Sequence, residues 1–440
     1  MTYKETIDYL FNATPLFQNI GAGAYKEGLS NTLVLDEHLG HPHHQYKTIH
    51  VAGTNGKGSC SHTLAAIFQS AGYRVGLYTS PHLIDFRERI RINGEPISEQ
   101  YVIDFVEQER SFFEPLHPSF FELATAMAFK YFADESVDIA VIEVGLGGRL
   151  DCTNIICPEL CIITNISLDH VQLLGNTLSE IAAENAGIIK KGIPVIIGEA
   201  TKETRSVFQQ KAEAVGAPIT FAEDSKFVIS SEQVFKNGHI GRTYQLYPSL
   251  ISRTTLYGEL GGDCQEKNTN TIIHAIRQLI YAGHSFEVEH IINGFANVCH
   301  LTGLMGRWHV ISENPTIICD TGHNLGGIQY ISKQLDTIPH KQLRIVVGMV
   351  NDKDISGVLK LLPQSASYYF TQANVKRALP CEQLKNLAES LGLHGHAYPA
   401  VREAYAAVCE DADTDDLIFI GGSTFVVADF LTLYKNAPLN

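Results

Sequence analysis

The sequence predicts an α/β protein with mostly parallel sheets, divided into a large N-terminal domain and a smaller C-terminal domain. Short β-branched runs alternate with segments of helical spacing, which is typical of a doubly wound sheet. A glycine-rich turn joins an early run to a helix, and the same rhythm resumes after residues 296–306. The chain of 440 residues also exceeds the size of one ordinary hydrophobic core.

The elements follow in a regular order. In the larger domain, strands are expected within 48–52, 72–83, 138–143, 160–167 and 194–198, and helices at 60–71, 119–132, 178–189 and 268–282. Residues 1–47 are interpreted as helical and connecting, and residues 220–260 as shorter and more β-like. In the smaller domain, the apolar runs at 316–320, 344–350, 367–371 and 417–422 predict four strands.

The first strand leads into a candidate phosphate loop. The stretch from Thr48 to Ser59 reads T-I-H-V-A-G-T-N-G-K-G-S. Glycines allow the backbone N–H groups to approach a phosphate, and the following helix adds a partial positive charge. Lys57 would reach the outer phosphates of a nucleotide, and Ser59 would offer a hydroxyl to Mg²⁺. The loop departs from the common pattern, because position 51 is Val and the hydroxyl comes one residue late. The alternative interpretation is an ordinary glycine turn.

Polar residues follow several other expected strands. Ser80 and His82 follow the second strand, and the carboxyl ends of parallel strands are where ligands gather. Glu143 lies inside a buried strand, where an unpaired carboxylate would be costly, so a metal or a cation partner is expected. Asp169 and His170 come at the end of the next strand.

Four further groups of residues are candidates for a site, and three of them have alternative interpretations. Arg87, Arg89 and Arg91 alternate, which would place them on one face of an extended segment, either solvated or binding an anion. Glu122 lies among aromatic residues and would either face a flat heterocycle or mark a helix start. Asp320, His323 and Asn324 follow the first strand of the smaller domain. Four histidines at 38–44 are interpreted as a surface loop rather than as a metal site.

Composition narrows the class of protein. The 33 basic and 48 acidic residues give a formal charge of −15, which argues against a nucleic-acid surface. The first residues lack the features of a signal or transit peptide, and no apolar run approaches membrane length. The nine cysteines include no C-x-x-C pair, so neither a zinc ribbon nor a disulfide framework is indicated. A cytoplasmic enzyme without nucleic-acid or membrane partners is expected.

The motifs together resemble those of one family. G-T-N-G-K-G-S, T-S-P-H-L, E-V-G-L-G-G-R-L-D-x-T-N, S-L-D-H, G-R-W, D-T-G-H-N, G-M-V-N-D-K-D and G-G-S occur in the order found in folylpolyglutamate synthase/dihydrofolate synthase. This family is the folate branch of the Mur-ligase superfamily. The resemblance extends from about Ala24 to Phe430. The evidence for it is the occurrence of all these motifs in the same order, since any one motif alone would be weak.

The resemblance implies an ATP-dependent amide ligase that uses Mg²⁺ and joins L-glutamate to dihydropteroate or a reduced folate through an acyl phosphate. It also implies a monomer with a phosphate-loop-containing Mur-ligase-type domain at 1–297 and a Rossmann-like glutamate-ligase domain at 298–440. Two alternatives stay open: a cell-wall Mur-type amino-acid ligase, and a non-catalytic ATP-binding homologue.

The resemblance further assigns roles to residues. The ATP loop comprises Gly53, Thr54, Asn55, Gly56, Lys57, Gly58 and Ser59. The Mg²⁺ ligands are Ser59, Ser80, Glu143 and His170. Asn268, Arg307 and Asp320 contact the nucleotide, and Lys57, His170, Arg307 and His323 take part in catalysis. The pterin lies near Ser119, Phe120, Phe121, Glu122, Leu150, Asp151 and Cys152.

Three positions depart from the family pattern. Asn185 stands where relatives often carry a lysine that is carbamylated and ligates a second Mg²⁺, so a weak, absent or differently built second site is expected. Cys152 replaces the usual alanine beside the pterin. Cys264 precedes Gln265 where a larger ring residue is common, so the packing near adenine is expected to differ.

Overall fold

The computed structural model describes residues 1–13, 28–236, 239–247, 254–351 and 354–436. Parts of the expected N-terminal and β-like regions, the start of the resemblance at Ala24, and two residues of the motif G-M-V-N-D-K-D lie outside these ranges. The described residues form two compact units. Unit 1 comprises Met1–Ser231, Thr243–Gly258 and Gln265–Leu304, and unit 2 comprises Glu232–Arg242, Glu259–Cys264 and Met305–Asn440.

The helices and strands of unit 1 alternate through most of its length. Its helices are α1 (Tyr3–Ala13), α2 (Ser30–His38), α3 (Lys57–Ser70), α4 (Glu99–Phe113), α5 (Phe120–Asp134), α6 (Val171–Leu174), α7 (Leu178–Asn185), α8 (Lys202–Val215), α9 (Gln265–Tyr281), α10 (Val288–Ala296) and α11 (Val298–Thr302). Its main strands are β1 (Lys47–Ala52), β2 (Val75–Tyr78), β3 (Ile90–Ile92), β4 (Glu95–Pro96), β5 (Ile139–Glu143), β6 (Leu160–Ile163), β7 (Val195–Ile197) and β8 (Ile219–Phe221).

These eight strands form one sheet in the order β4-β3-β2-β5-β1-β6-β7-β8. From β2 to β8 all neighbours are parallel, and β3 and β4 add an antiparallel edge. One core lies between this sheet and α3, α9 and α10, and another lies between the sheet and α4 and α5. The order β2-β5-β1-β6 brings the ends of four strands to one edge, where the loops that follow them meet.

Three more strands, β9 (Val228–Lys236), β10 (His239–Leu246) and β11 (Thr255–Gly258), form a small sheet whose residues are shared between the two units. The β-like character expected for residues 220–260 agrees with this sheet in its described part.

Unit 2 contains a second, mostly parallel sheet. Its strands are β12 (His309–Glu313), β13 (Thr316–Cys319), β14 (Leu343–Val347), β15 (Ser367–Phe370), β16 (Gly395–Ala397) and β17 (Leu417–Gly421). They lie in the order β12-β13-β17-β14-β15-β16, with only β12 antiparallel to its neighbour among these described strands. Its helices are α12 (Leu325–Leu335), α13 (Ile355–Leu359), α14 (Cys381–Glu389), α15 (Val401–Asp411) and α16 (Thr424–Asn436). The expected α/β fold with mostly parallel sheets is confirmed.

The compact units follow a division different from the predicted domains 1–297 and 298–440, which remain a prediction. Unit 1 continues to Leu304 because α11 packs on α3, where His62 Nδ1 lies 2.7 Å from Thr302 Oγ1. Residues 232–242 and 259–264 group instead with unit 2, where Arg242 pairs with Asp263 at 2.6 Å. No helix among the described residues is both long and apolar enough to cross a bilayer.

The expectation of one extended segment carrying three arginines is wrong. Residues Phe86–Arg89 form a 3-10 turn, and only Ile90–Ile92 form a strand. The Asp85 carboxylate accepts a hydrogen bond from the Arg87 N–H at 2.9 Å, and the Glu88 carboxylate accepts one from the Asp85 N–H at 3.0 Å. This capping box bends the chain, so the three side chains point into different surroundings.

Candidate functional site

The glycine loop lies at the carboxyl end of β1, in the middle of the parallel part of the sheet. Gly53 and Gly56 have φ values of +127° and +87°, in the region that disfavours L side chains. A Cβ at Gly53 would collide with Oγ1 of Thr164, and one at Gly56 would lie 2.5 Å from Oδ1 of Asn268. Gly56 ends the loop, so α3 begins at Lys57, three residues earlier than expected.

The loop is anchored to the end of β6. The Thr54 N–H donates to the Asn165 carbonyl at 2.8 Å, and the Asn55 N–H donates to Asn165 Oδ1 at 3.1 Å. The Lys57 ammonium donates to the carbonyls of Gly53 at 2.7 Å and Thr54 at 3.2 Å. The loop backbone is thus fixed by its own chain, with the Lys57 ammonium folded back over it.

Asn185 supplies a further anchor that the sequence did not indicate. Its Oδ1 accepts the Gly53 N–H at 2.9 Å, and its Nδ2 donates to the Ile181 carbonyl at 2.8 Å. The side chain is 2% exposed. A neutral amide engaged in this way offers no anionic ligand to a second metal ion. The expectation of a weakened second site remains a prediction.

Two residues of α9 lie against the start of α3. Gln265 Nε2 donates to Ser59 Oγ at 3.1 Å, and Asn268 Nδ2 donates to Gln265 Oε1 at 3.0 Å. Asn268 therefore lies over Gly56, next to the loop it is predicted to serve. No motif of the sequence indicates this contact of Gln265, although the adjacent Cys264 departs from the family pattern.

Three of the predicted metal ligands of unit 1 lie at or beyond the ends of β2, β5 and β6. Glu143 is the last residue of β5, paired in register with Val51 of β1, and is 4% exposed. Ser80 comes two residues after the end of β2, the neighbour of β5. His170 has a φ of +49° and lies beyond the end of β6.

The predicted ligands suit Mg²⁺ better than a metal ion whose ligands all come from protein side chains. Among the described residues, no three His, Cys, Asp or Glu side chains are grouped to hold an ion. Mg²⁺ is commonly bound through one or two carboxylates together with substrate phosphates and water. The buried carboxylate of Glu143, whose strand pairs with the strand that precedes the glycine loop, fits that pattern.

Four of the residues predicted to hold the pterin, Ser119–Glu122, lie at the start of α5. The Ser119 hydroxyl accepts the Glu122 N–H at 3.2 Å, and the Glu122 carboxylate accepts the Ser119 N–H at 2.6 Å. This is a capping box, so the structure supports the helix-start interpretation of Glu122. Phe121 lies against the backbone after β5, where a Cβ on Gly145 would be 2.5 Å from its ring.

Asp151 organises the glycine turn that follows Glu143. Its Oδ2 accepts the N–H groups of Gly145 at 3.0 Å and Leu146 at 2.9 Å, and its Oδ1 accepts the Thr153 N–H and hydroxyl. Burial raises the pKa of Asp151, and these hydrogen bonds oppose that rise. His50, in the middle of β1, contacts the same Thr153 hydroxyl at 2.8 Å. Leu150 and Cys152 are half-buried beside Asp151.

In unit 2, the predicted nucleotide residues meet at the end of β13. The half-buried Asp320 carboxylate accepts the Trp308 N–H at 2.6 Å and the Gly322 N–H at 2.7 Å. Burial raises the pKa of Asp320, and the charge of Arg307 opposes that rise. His323 Nδ1 lies 3.0 Å from the Thr321 carbonyl. The charges of Arg307 and His323 both act on the Asp320 carboxylate, so the three residues lie near one another within unit 2.

Comparison with known proteins identifies the class. Residues 51–258 match the Mur ligase middle domain, and residues 306–424 match the Mur ligase glutamate ligase domain. With the glycine loop and the parallel sheets, these matches define a Mur-ligase-type protein.

Individual relatives narrow the class further. Dihydrofolate synthase/folylpolyglutamate synthase of Bacillus subtilis is 31% identical over 92% of this chain and 94% of its own. A probable bifunctional folylpolyglutamate synthase/dihydropteroate synthase of Haloferax volcanii is 32% identical over 99% of this chain, which spans only 51% of that longer protein.

Solved structures support the same family. Folylpolyglutamate synthase of Mycobacterium tuberculosis, complexed with ADP and AMPPCP, matches with a TM-score of 0.85, 30% identity and 99% coverage of both chains. A bifunctional folylpolyglutamate synthase/dihydrofolate synthase with Mn, AMPPNP and L-glutamate bound matches with a TM-score of 0.80 and 28% identity over 99% of this chain and 98% of its own. The chain belongs to the folylpolyglutamate synthase/dihydrofolate synthase family.

Proposed function

We propose that this protein is an ATP-dependent, ADP-forming amide ligase that adds L-glutamate to dihydropteroate, to reduced folates, or to both. The observation that carries the proposal is the anchored glycine loop at the end of β1, with the buried Glu143 carboxylate ending the neighbouring strand. A loop of this kind binds phosphates, and a buried carboxylate beside it suits the accompanying Mg²⁺.

The proposed reaction has two steps. An oxygen of the acceptor carboxylate attacks the γ-phosphorus of ATP, the bond to the β–γ bridging oxygen breaks, and ADP leaves. The neutral amine of glutamate then attacks the carbonyl carbon of the acyl phosphate. The C–O bond breaks, inorganic phosphate leaves with the electron pair, and the nitrogen loses a proton as the amide forms. Both steps depend mainly on positioning the reacting groups and on neutralising the negative charge of the phosphates.

Different residues of this chain would bind the phosphates and hold the metal ion. The N–H groups of the loop Gly53–Ser59 would bind the phosphates, and Lys57 would turn from its carbonyl partners toward the outer phosphate. Ser59, Ser80, Glu143 and His170 would hold Mg²⁺, which supplies positive charge between the phosphates and the acceptor carboxylate.

The remaining assignments concern the nucleotide and the two other substrates. Asn268, Arg307 and Asp320 would contact the nucleotide, and His323 would position the phosphates or the amine. The relative with Mn, AMPPNP and L-glutamate bound supports a divalent cation and L-glutamate for this chain as well. Ser119, Phe120, Phe121, Leu150, Asp151 and Cys152 would surround the pterin, and Glu122 would act by shaping the start of α5.

The partners are proposed to be small molecules only. We assign the protein to the cytoplasm as a monomer without nucleic-acid or membrane partners, in agreement with its charge of −15.

Incorporation of radiolabelled glutamate tests the proposal and separates its alternatives. Dihydropteroate, tetrahydrofolate and a UDP-muramoyl acceptor are assayed in parallel with ATP and Mg²⁺. Incorporation into one or both pterin acceptors is expected, and Lys57→Ala should abolish it while the protein stays folded. Incorporation only into the UDP-muramoyl acceptor would identify a cell-wall ligase. No incorporation and no glutamate-dependent phosphate release with any acceptor would contradict the ligase.

A further inference from the structure

The three alternating arginines have different surroundings in the structure. Arg87 is partly exposed and pairs with Asp85 at 3.0 Å and Glu99 at 3.4 Å. Arg91 is buried and donates to the Gly94 carbonyl at 2.9 Å. Its Nε has no hydrogen-bond partner among the described residues. Arg89 differs from Arg91 in lying beside Ser80 and the ring of Phe120.

Arg89 is a buried cation without a neighbouring anion. The residue is 4% exposed, and its Nε donates to Nδ1 of His82 at 2.7 Å. Among the described residues, no carboxylate lies within 4.0 Å of its guanidinium nitrogens, and the Nε contact is its one side-chain hydrogen bond. Burial lowers the pKa of Arg89 to about 10, although the more distant charge of Glu143 opposes that change. Leaving a buried charge unpaired is expensive, so a ligand anion is the natural partner.

The position of Arg89 indicates which anion. Its backbone carbonyl accepts the Thr79 N–H at 3.0 Å, which places it beside Ser80. Its guanidinium carbon lies 5.2 Å from the centroid of the Phe120 ring. The backbone of Arg89 therefore lies next to a residue proposed to hold Mg²⁺, and its guanidinium lies near a residue proposed to hold the pterin. The carboxylate that is phosphorylated would have to reach from the bound pterin toward the metal ion, past this arginine.

His82 fixes the orientation of the guanidinium. Because its Nδ1 accepts the Arg89 N–H, the neutral ring carries its proton on Nε2. The ring is stacked on Phe11 of α1, with 6.1 Å between centroids and 5° between planes. Nε is thereby occupied, and the four N–H bonds of the two Nη groups stay available for a carboxylate.

We propose that Arg89 binds the acceptor carboxylate that ATP phosphorylates, with His82 as its positioning residue. This inference rests on the proposed ligase function and adds a substrate contact to it. The planar guanidinium matches a carboxylate through two parallel hydrogen bonds. The pairing would hold one carboxylate oxygen in place and offset its repulsion from the phosphates of ATP.

The test compares dihydropteroate with its carboxamide analogue, which keeps the pterin and the ring but carries no charge. Dissociation constants are measured by calorimetry without ATP. The unmodified protein should prefer the carboxylate on the order of a hundredfold, because removing one partner of a buried charged pair is strongly unfavourable. Arg89→Gln should remove this preference and leave the affinity for the carboxamide unchanged. The matched control Arg87→Gln, on the surface of the same turn, should keep the full preference.

Two further variants keep the proposal falsifiable. Arg89→Lys keeps the charge but loses the paired geometry, so the preference should fall about tenfold; if Arg89→Gln does not fold, an unchanged preference in Arg89→Lys overturns the proposal. His82→Leu should lower the preference without weakening carboxamide binding, since it acts through Arg89.

Equal losses for both ligands in Arg89→Gln would mean that Arg89 only supports the fold, which would also overturn the proposal. A failure of the ligase function is a separate result, because it appears as absent glutamate incorporation by the unmodified protein, whatever the two affinities are.

Discussion

Replacing Asn185 by alanine should loosen the phosphate loop. In the structure, Asn185 Oδ1 is the acceptor for the Gly53 N–H at 2.9 Å, and its Nδ2 donates to the Ile181 carbonyl at 2.8 Å. The side chain is buried, so no water replaces it without a rearrangement. Alanine leaves the Gly53 N–H without an acceptor, which costs about 1–3 kcal/mol. We expect the free energy of unfolding of Asn185→Ala to fall by about 2 kcal/mol.

Hydrogen exchange locates the effect, and denaturant unfolding measures it. Peptides that cover residues 48–59 should exchange faster by on the order of tenfold or more in Asn185→Ala, because each 1.4 kcal/mol is a factor of ten in the opening equilibrium. The KM for ATP should rise in parallel, since the loop proposed to bind the phosphates loses one of its anchors.

Two controls separate the lost acceptor from other changes. Asn185→Asp keeps an oxygen for the Gly53 N–H, so it should preserve protection of residues 48–59 even if the buried charge lowers global stability. Asn386→Ala alters an exposed position of α14 and should change stability by less than about 0.5 kcal/mol. Unchanged stability and unchanged exchange in Asn185→Ala would refute the anchoring role.

Four further predictions follow from the same contacts. With an ATP analogue, Mn²⁺ titration followed by electron paramagnetic resonance should give one tight ion per chain, because the Asn185 amide is neutral and engaged; two tight ions would contradict this. Gly56→Ala should abolish nucleotide binding in calorimetry, since its Cβ would lie 2.5 Å from Asn268 Oδ1 at a φ of +87°; normal affinity would be the contrary result. Glu143→Gln should raise the Mg²⁺ concentration needed for half-maximal ligase activity at least tenfold, and an unchanged requirement would remove Glu143 from the metal site. Burial lowers the pKa of His50 to about 3, from an ordinary value of 6.5, so its contribution to stability is complete above pH 6.5 and is lost as the pH falls toward 3, by about 1.4 kcal/mol per pH unit. His50→Gln should therefore flatten the decline of the free energy of unfolding between pH 6 and pH 4. A decline as steep as in the unmodified protein would argue against this role of His50.

Much of the fold could be predicted because buried parallel strands leave a clear signal. The runs ending at Ala52, Glu143 and Cys319 are apolar and bounded by glycine or polar turns, so their strands were placed to within a residue or two. The start of α3 was placed too late, since only the positive φ of Gly56 shows where the loop ends. Of the antiparallel edge strands, β4 was missed because it is two residues long and carries no periodicity, and β3 was expected only as part of a longer extended segment.

Some residues of the candidate site could also be expected from the sequence, because they lie close to the ends of predicted strands. Glu143 ends a strand, Asp320 directly follows one, and Lys57 follows the glycine turn after one, so all three could be placed at a sheet edge from their positions in the sequence. Contacts between distant segments could not, and the hydrogen bond from Gly53 to Asn185 spans 132 residues. The roles of Arg87, Arg89 and Arg91 also could not be separated, since the Asp85 and Glu88 capping box that bends the segment decides which side chain is buried.

The most direct test of the central claim follows an oxygen atom. If ATP phosphorylates the acceptor carboxylate, dihydropteroate or a folate acceptor labelled with ¹⁸O in that carboxylate should transfer one labelled oxygen to inorganic phosphate for each amide formed. Mass spectrometry of the released phosphate would detect it, with ADP as the other nucleotide product. Amide formation with unlabelled phosphate, or with the label in AMP, would contradict the acyl-phosphate ligase proposed for this protein.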